Sequence, residues 1–238
     1  MSGDAIMADR LASTISPEVG RPDSDIQGYD ISNLVICLSG GLDSSVVIGW
    51  YINERKIKPS NIYPLFVDYG QNWSSNEWTS AKLVADYWGT HPPKYTYRIL
   101  GVEDTIQEYD VNKRLKGYIP LRNLHIFGLA SDYVIRLARQ GIECDTFASG
   151  CRFSAYPDTT QEFLDRWNFM IKVSAWEGLN TEAPFAWWGT KRLYRYVSRL
   201  KFPIDITTSC QVQTESGKRC GYCQKCNDRE KYYINLST

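Results

Sequence analysis

Short apolar segments alternate with amphipathic segments along most of this 238-residue chain, and this alternation constrains the fold more than any other feature. Runs rich in β-branched residues predict strands at 34–38, 62–67, 95–100 and 145–149. Apolar residues at helical spacing predict helices at 44–57, 74–88, 123–139, 159–176 and 190–200. Strands separated by helices need crossover connections, so we expect a mostly parallel sheet with helices on both faces, a doubly wound α/β fold.

The charge balance excludes some classes of protein. Lys and Arg number 27 and Asp and Glu number 27, so the net charge is zero, which disfavours stable nucleic-acid binding. At 43% hydrophobic residues the chain can bury a core. No apolar stretch approaches the roughly 20 residues needed to span a bilayer, and residues 1–20 lack a secretory hydrophobic region. We therefore expect a soluble, cytoplasmic protein without a membrane partner.

Three regions differ in composition. Residues 1–30 are rich in Ser, Asp, Pro and Gly without apolar periodicity, which predicts a flexible N-terminal arm. Residues 31–205 contain the alternating pattern and predict the α/β domain. Residues 206–238 contain a cysteine cluster and predict a metal-binding C-terminal segment.

A glycine-containing loop lies between the first predicted strand and the first predicted helix. In Ser39-Gly40-Gly41-Leu42-Asp43-Ser44, glycines allow the main chain to approach a ligand, and backbone N–H groups at a helix start favour an anion. Ser39 and Ser44 add hydroxyl donors, and Asp43 is expected to act through Mg²⁺ or loop geometry. Neither a Walker-type loop nor a Gly-x-Gly-x-x-Gly motif is present in the chain.

The C-terminal cysteines supply four soft ligands. Cys220, Cys223 and Cys226 follow a Cys-x₂-Cys-x₂-Cys spacing, and Cys210 lies ten residues upstream. Four thiolates suit a closed, structural Zn²⁺ site. An iron–sulfur cluster and a redox dithiol remain alternatives at this point, because cysteines also serve both.

The hexapeptide at 39–44 resembles the Ser-Gly-Gly-x-Asp-Ser signature of the PP-loop ATP pyrophosphatase superfamily. This resemblance implies an adenine nucleotide alpha hydrolase-like fold in which residues 39–44, including Leu42, hold the pyrophosphate of ATP. It also implies adenylation of an acceptor, with AMP and pyrophosphate as products.

Further motifs between about residues 34 and 229 occur in the order typical of the 7-cyano-7-deazaguanine synthase family, QueC. They are Asp68-Tyr69-Gly70-Gln71, Tyr118-Ile119-Pro120 with Arg122-Asn123, Tyr156-Pro157-Asp158 with Glu162-Phe163, Thr190-Lys191, and Ser209-Cys210 with Cys220, Cys223, Cys226 and Arg229. The resemblance assigns Tyr69 and Gln71 to the nucleotide site. It also implies a homodimer.

Family enzymes use ATP to activate the carboxylate of 7-carboxy-7-deazaguanine, add ammonia to form an amide, and dehydrate the amide to a nitrile with a second ATP. Mg²⁺, Lys191 and Arg122 are candidates for stabilising the developing charge. Asp158 is the candidate acceptor for the deazaguanine N–H and NH₂ groups, beside Tyr156 and Asn123. The alternatives are a turn cap at Asp158 and helix N-terminal capping at 122–123.

The chain also departs from the family pattern. Thr159-Thr160 stands where the family usually has Cys-Arg, Asn72-Trp73 replaces a basic pair, and Gln211 replaces Tyr. These differences leave a second hypothesis, a QueC-like enzyme of an antiviral defence operon that transfers the adenylated deazapurine to a protein amine. A third hypothesis is a non-catalytic zinc- and nucleotide-binding scaffold.

Overall fold

A computed structural model describes residues 31–71, 73–97, 119–154, 156–175, 178–208, 210 and 219–233. The predicted N-terminal arm, residues 1–30, lies outside the described residues, as do Tyr118 of the family motif and residues 211–218 of the predicted C-terminal segment.

Five parallel strands form one sheet. The strands are β1 (Leu34–Cys37), β2 (Ile62–Asp68), β3 (Lys94–Tyr97), β4 (Thr146–Ser149) and β5 (Asn180–Glu182). The helices are α1 (Leu42–Asn53), α2 (Ser74–Trp88), α3 (Arg122–Arg139), α4 (Gln161–Ser174), α5 (Thr190–Leu200) and α6 (Gln224–Tyr233). The spatial order β3-β2-β1-β4-β5, with every described pairing parallel, confirms the predicted α/β class.

The strand order reverses beside β1. From β1 the chain first builds outward through β2 and β3, then crosses back so that β4 pairs with the other edge of β1. The register places Cys37 of β1 level with Leu65 of β2 and Ser149 of β4. The loops after β1 and β4 therefore diverge to opposite sides, which opens a crevice at the carboxyl ends of the strands.

Helices cover both faces of the sheet, as predicted. Leu34 and Ile36 of β1 belong to a core with α1, α2 and α5, whereas Val35 and Cys37 belong to a second core with α3 and α4. All four β1 residues are buried, as expected of the central strand of a sheet with two covered faces. This burial holds the loop that follows β1 on a rigid support.

Several predicted helix boundaries shift by a few residues, and two of these shifts have a clear local cause. Helix α1 ends at Asn53 instead of residue 57, because Lys56 adopts a left-handed conformation (φ 59°) and the Ile57 N–H donates to the Tyr51 carbonyl at 3.1 Å. Helix α4 begins at Gln161 instead of residue 159, because the Thr160 hydroxyl caps it.

Two elements are not predicted by the apolar pattern. Strand β5 is three residues long and polar, and α6 is charged without an apolar stripe, so neither carries a strong periodic signal. Within the part of the chain that the structure describes, no helix is both long and apolar enough to cross a membrane.

Candidate functional site

A cleft of about 470 Å³ opens at the carboxyl ends of β1 and β4. Its walls come from the loops after β1, β2 and β4, the first turns of α1 and α3, and one side chain of α6. This is the crevice where the strand order reverses, the position at which open α/β sheets bind their ligands. Seven of the predicted nucleotide, catalytic and substrate residues line it.

The loop after β1 is held by its own serine hydroxyls. The Ser39 N–H donates to Ser44 Oγ at 3.2 Å, and the two hydroxyl oxygens lie 3.0 Å apart. Ser44 Oγ and Ser45 Oγ both contact the Gly41 carbonyl, at 3.1 and 2.6 Å. Helix α1 begins at Leu42, so the loop presents the positive end of a helix to the cleft.

Two glycines let the loop pack closely against its neighbours. A Cβ at Gly40, whose φ is +73°, would lie 2.4 Å from the Glu77 carbonyl oxygen and 2.9 Å from the Ala81 nitrogen. A Cβ at Gly150, just after β4, would lie 2.7 Å from the Ser44 backbone. Both positions therefore require glycine for the loop to rest between α2 and the end of β4.

Asp43 forms an ion pair that joins the loop to β4. Arg152 Nε donates to Asp43 Oδ1, and its Nη1 donates to Thr190 Oγ1 at 3.2 Å and the Trp188 carbonyl at 3.4 Å. The pair is largely shielded, with 20% and 30% of the two side chains exposed. Arg152 thus brings a guanidinium to the edge of the 39–44 loop.

The motif after β2 forms a turn around Asp68. The Gly70 N–H donates to Asp68 Oδ1 at 2.9 Å, and the Tyr95 hydroxyl donates to Oδ2. Burial raises the pKa of Asp68, but hydrogen bonds from Ser74, Tyr95 and the Gly70 N–H outweigh burial, and the pKa lies below its ordinary value. Asp68 therefore organises this wall as a carboxylate.

Gln71 acts from behind the wall of the cleft. It is buried, accepts from the Tyr69 N–H at 2.9 Å, and donates to Glu77 Oε2 at 2.7 Å. Burial raises the pKa of Glu77 to about 7, although hydrogen bonds from Gln71 and Trp73 and the charge of Arg122 oppose the shift. Burial likewise raises the pKa of Tyr69 to about 12. Gln71 therefore positions two residues that line the cleft.

The predicted substrate residues lie together at the start of α3. The Asn123 N–H donates to Asp158 Oδ2 at 3.1 Å, and the Asn123 side-chain amide donates to the Asp158 carbonyl at 2.8 Å. Burial raises the pKa of Asp158, while the Asn123 N–H and the Arg122 charge act in the opposite direction. Asp158 Oδ1 is buried and has no hydrogen-bond partner among the described residues. Asp158 Oδ2 therefore caps α3, whereas Oδ1 accepts no hydrogen bond from the described residues.

The predicted residues divide by position. Those that line the cleft are Ser39, Asp43, Ser44, Tyr69, Arg122, Asn123 and Tyr156. Gly40, Gly41, Gln71 and Asp158 adjoin these residues and support them. The Leu42 side chain is buried in the core, so only its backbone belongs to the loop. Lys191 is exposed in the first turn of α5 and is not among the described cleft residues.

The sequence interpretation missed three charged residues of the cleft. Glu77, Arg152 and Lys225 all line it. Arg152 could have been predicted from the sequence, because it closely follows a predicted strand at the edge of the sheet where ligands bind. Cys151 also lines the cleft, but burial raises its pKa to about 12, so the thiol is not prepared for nucleophilic attack.

The four C-terminal cysteines converge. The sulfur atoms of Cys210, Cys220, Cys223 and Cys226 all lie within 4.8 Å of one another, and those of Cys220 and Cys226 are 4.0 Å apart. A tetrahedron with metal–sulfur bonds of about 2.3 Å has edges of about 3.8 Å. The cluster therefore fits a single metal ion.

The segment that contains the cysteine cluster also contacts the 39–44 loop. Arg229, one turn after Cys226 on α6, is buried and donates to the Ile204 carbonyl at 2.8 Å and the Thr207 carbonyl at 3.0 Å. The neighbouring Thr208 N–H donates to the Gly40 carbonyl at 2.9 Å. Helix α6, which carries Cys226, and the 39–44 loop thus both hydrogen-bond to the short segment 204–208.

Comparison with known proteins identifies the family of the chain. Residues 33–237 match the family model described as "Queuosine biosynthesis protein QueC". The chain is 25% identical to 7-cyano-7-deazaguanine synthase 1 of Desulfitobacterium hafniense, over 84% of this chain and 90% of that protein. It is 28% identical to the 7-cyano-7-deazaguanine synthase of Oceanobacillus iheyensis, over 82% and 90%.

A solved structure of lower similarity is the U34-tRNA thiolase NcsA of Methanococcus maripaludis with its [4Fe-4S] cluster. It shares 13% identity and a TM-score of 0.44, over 98% of this chain and 76% of that chain. The family match covers most of the chain, and the chain therefore belongs to the QueC family.

Proposed function

We propose that this protein is an ATP-dependent carbon–nitrogen ligase. It adenylates the carboxylate of 7-carboxy-7-deazaguanine and converts it with ammonia, through an amide, to 7-cyano-7-deazaguanine. The observation that carries the proposal is that the 39–44 loop and the residues around Asp158 border one cleft. Curated relatives with synthase activity support the same assignment.

Asp158 Oδ1 is the feature that favours a purine-like substrate. A buried carboxylate oxygen that accepts no hydrogen bond costs free energy. A ligand N–H that donates to Asp158 Oδ1 would remove that cost. The guanine-like edge of the substrate offers an N–H and an NH₂ group side by side. Tyr156, at the same end of the cleft, supplies an aromatic side chain for the ring.

The first step needs cations around the phosphates. The substrate carboxylate oxygen attacks the α-phosphorus of ATP, a new O–P bond forms, and the bond to pyrophosphate breaks. The 39–44 loop would hold the departing pyrophosphate, and Arg122 and Arg152 would stabilise negative charge that develops on the α-phosphoryl group. Lys191, in the first turn of α5, remains a candidate for the same role.

The second part of the reaction replaces AMP. The nitrogen of ammonia attacks the acyl carbon, AMP leaves, and loss of a proton gives the amide. The amide oxygen then attacks the α-phosphorus of a second ATP and releases pyrophosphate. Loss of one N–H proton gives the O-adenylated imidate, and departure of AMP with loss of the remaining N–H proton completes the nitrile. One adenylating site would therefore serve both amide formation and dehydration to the nitrile.

The residues present fit the two metals that the resemblance implies. Asp43 Oδ1 is engaged by Arg152, and Oδ2 has no such contact among the described residues, which suits it to bind the Mg²⁺ of the nucleotide. Mg²⁺ would neutralise phosphate charge. The four cysteines would hold Zn²⁺ in a closed structural site, because their sulfur spacing suits one tetrahedral ion.

The conjugating alternative has less support. Thr159 is buried and its hydroxyl lies 2.6 Å from Ser154 Oγ, while Thr160 caps α4, so both residues have structural roles. The relatives compared above are synthases and give this alternative no support. Nitrile synthesis is therefore the function we propose.

Incubation with ATP, Mg²⁺, 7-carboxy-7-deazaguanine and ammonium tests the proposal by mass spectrometry. We expect AMP and a product at the nitrile mass. Asp158→Asn should raise the KM for the deazapurine by about tenfold or more, because the Asn side chain loses one charged acceptor. Asp165→Asn on the exposed side of α4 is the matched control and should be unaffected. Formation of ADP would contradict the proposal, and so would a rate of AMP formation that does not depend on the deazapurine.

A further inference from the structure

The proposed reaction needs a group in the cleft that accepts protons. Ammonia loses all of its N–H bonds on the way to the nitrile, and each proton must leave the nitrogen as its bonding to carbon strengthens. The 39–44 loop and the arginines of the cleft supply hydrogen-bond donors and positive charge, which serve the phosphates but not the nitrogen. A proton acceptor must therefore come from another residue of the cleft.

Two carboxylates line the cleft within the part of the chain that the structure describes, those of Asp43 and Glu77, and no histidine of that part does. Asp43 is already engaged in an ion pair at the edge of the 39–44 loop. Burial raises the pKa values of Tyr69, Cys37 and Cys151 to about 12, so these side chains keep their own protons at neutral pH. Glu77 is therefore the candidate acceptor.

Glu77 adjoins both regions that the substrate would contact. Its backbone carbonyl packs against Gly40, where a Cβ would lie 2.4 Å from the oxygen. Its side chain lies close enough to Arg122 for the guanidinium charge to influence its pKa. Arg122 lies in the first turn of α3, which Asp158 caps. An acyl adenylate bound at both the 39–44 loop and Asp158 would therefore pass Glu77.

The Glu77 carboxylate is held in a fixed orientation. Gln71 Nε2 donates to Glu77 Oε2 at 2.7 Å, and Gln71 is itself buried. The Tyr69 N–H donates to Oε1 of the same Gln71 amide at 2.9 Å, so the amide cannot turn without losing both contacts. A side chain that is fixed before the substrate binds does not have to be ordered during the reaction.

A structural role accounts for only part of this arrangement. Glu77 lies in the first turn of α2, where the helix dipole favours an acid. An exposed carboxylate would serve that purpose without desolvation, and a glutamine would keep the contact with Gln71 without burying an ionisable group. Neither purpose requires a carboxylate that lines the cleft.

The surroundings of Glu77 also suit proton transfer. The groups that face it are Asp68, Tyr69, Gln71, Trp73 and Arg122. Burial is the largest influence and raises the pKa of Glu77 to about 7, while the hydrogen bonds and the guanidinium charge oppose the rise and the Asp68 charge adds to it. A base with a pKa near the working pH both accepts a proton and releases it readily.

We propose that Glu77 is the catalytic base that removes protons from the nitrogen, an inference that rests on the proposed function. The nitrogen of ammonia attacks the acyl carbon, a C–N bond forms, and the carbonyl electron pair moves to oxygen. The Glu77 carboxylate accepts a proton from the nitrogen, and the electron pair returns as the bond to AMP breaks. Glu77 then releases the proton to water. It accepts the protons lost during imidate and nitrile formation in the same way.

Glu77→Gln in the full-length chain separates this role from adenylation. Deazapurine-dependent exchange of labelled pyrophosphate into ATP should match the wild type, because the substrate carboxylate attacks ATP without a base. Ammonium-dependent nitrile formation should fall by about 100-fold or more. Asp86→Asn, which removes an exposed acid from the same helix, is the matched control and should match the wild type in both assays.

The pH dependence of the wild type gives a second test that needs no variant. The rate of nitrile formation, expressed per concentration of free ammonia, should fall as pH drops through about 7, because protonation removes the acceptor. Pyrophosphate exchange should not show this fall. If Glu77→Gln has a changed circular dichroism spectrum, this profile decides the question.

The outcomes distinguish the inference from the proposed function. If the wild type shows no deazapurine-dependent exchange, the proposed function fails and the inference fails with it. If the wild type makes the nitrile and folded Glu77→Gln makes it equally fast, only the inference fails. Equal losses of exchange and nitrile formation in a folded variant would likewise overturn it, and so would a wild-type profile without the fall near pH 7.

Discussion

Substitution of Gly40 by alanine tests whether the 39–44 loop depends on close packing against α2. The new Cβ would lie 2.4 Å from the Glu77 carbonyl oxygen and 2.9 Å from the Ala81 nitrogen, and neither backbone atom can rotate away. Alanine at φ +73° costs about 1–2 kcal/mol, because the left-handed region is unfavourable for a residue with a Cβ. Forced displacement of packed groups adds about 1–3 kcal/mol. We therefore expect a loss of about 2–5 kcal/mol in the free energy of unfolding.

Gly141→Ala is the matched control. Gly141 has φ +81°, but a Cβ there meets no atom within 4 Å, so this variant carries only the backbone cost of about 1–2 kcal/mol. Urea denaturation followed by circular dichroism measures both losses, and ATP titration measures the loop. Gly40→Ala should also weaken ATP binding, since α2 and the loop must separate. Equal stability losses in the two variants would refute the packing argument.

Three further predictions concern a buried acid, a helix cap and the cysteine cluster. Because burial raises the pKa of Glu77 from near 4.5 to about 7, the native state retains a proton that the unfolded chain releases. The free energy of unfolding of the wild type relative to Glu77→Gln should thus be greatest at low pH and fall as pH rises through 7. A difference in urea midpoint between the two proteins that stays constant from pH 5 to 8 would contradict this. Thr160→Ala removes the acceptor for the Phe163 N–H and should cost about 1 kcal/mol in urea denaturation, whereas Thr160→Ser should cost less. Cys223→Ser should lose most of its bound metal by elemental mass spectrometry and melt earlier than the wild type, whereas Cys144→Ser, in the core away from the cluster, should keep its metal.

The C-terminal segment links two of these tests. Cys226 and Arg229 lie one turn apart on α6. Arg229 donates hydrogen bonds to the carbonyls of Ile204 and Thr207, and the Thr208 N–H donates to the Gly40 carbonyl. Loss of the metal should therefore weaken nucleotide binding as well as stability. A metal-free variant with unchanged ATP affinity would show that these contacts do not couple metal binding to nucleotide binding.

Local patterns in the sequence determine the class of fold and the position of the two motifs. Alternation of apolar runs with helical spacing predicts the covered parallel sheet, and α2 and α5 begin and end where that spacing does. The 39–44 loop and the four cysteines are likewise recognisable, because each depends on residues close together in the chain. Short polar β5 and charged α6 escape prediction, since neither has a strong apolar period.

The remaining features of the site depend on contacts between residues far apart in the chain. Asp43 pairs with Arg152, and Asn123 with Asp158, only because β4 crosses back beside β1. The raised pKa of Glu77 likewise needs burial against other elements. Strand order follows from how helices pack on the two faces of the sheet, and residue spacing does not encode it. The sequence therefore determined which chemical groups this protein has and which local structures carry them, whereas the tertiary structure decided which groups meet.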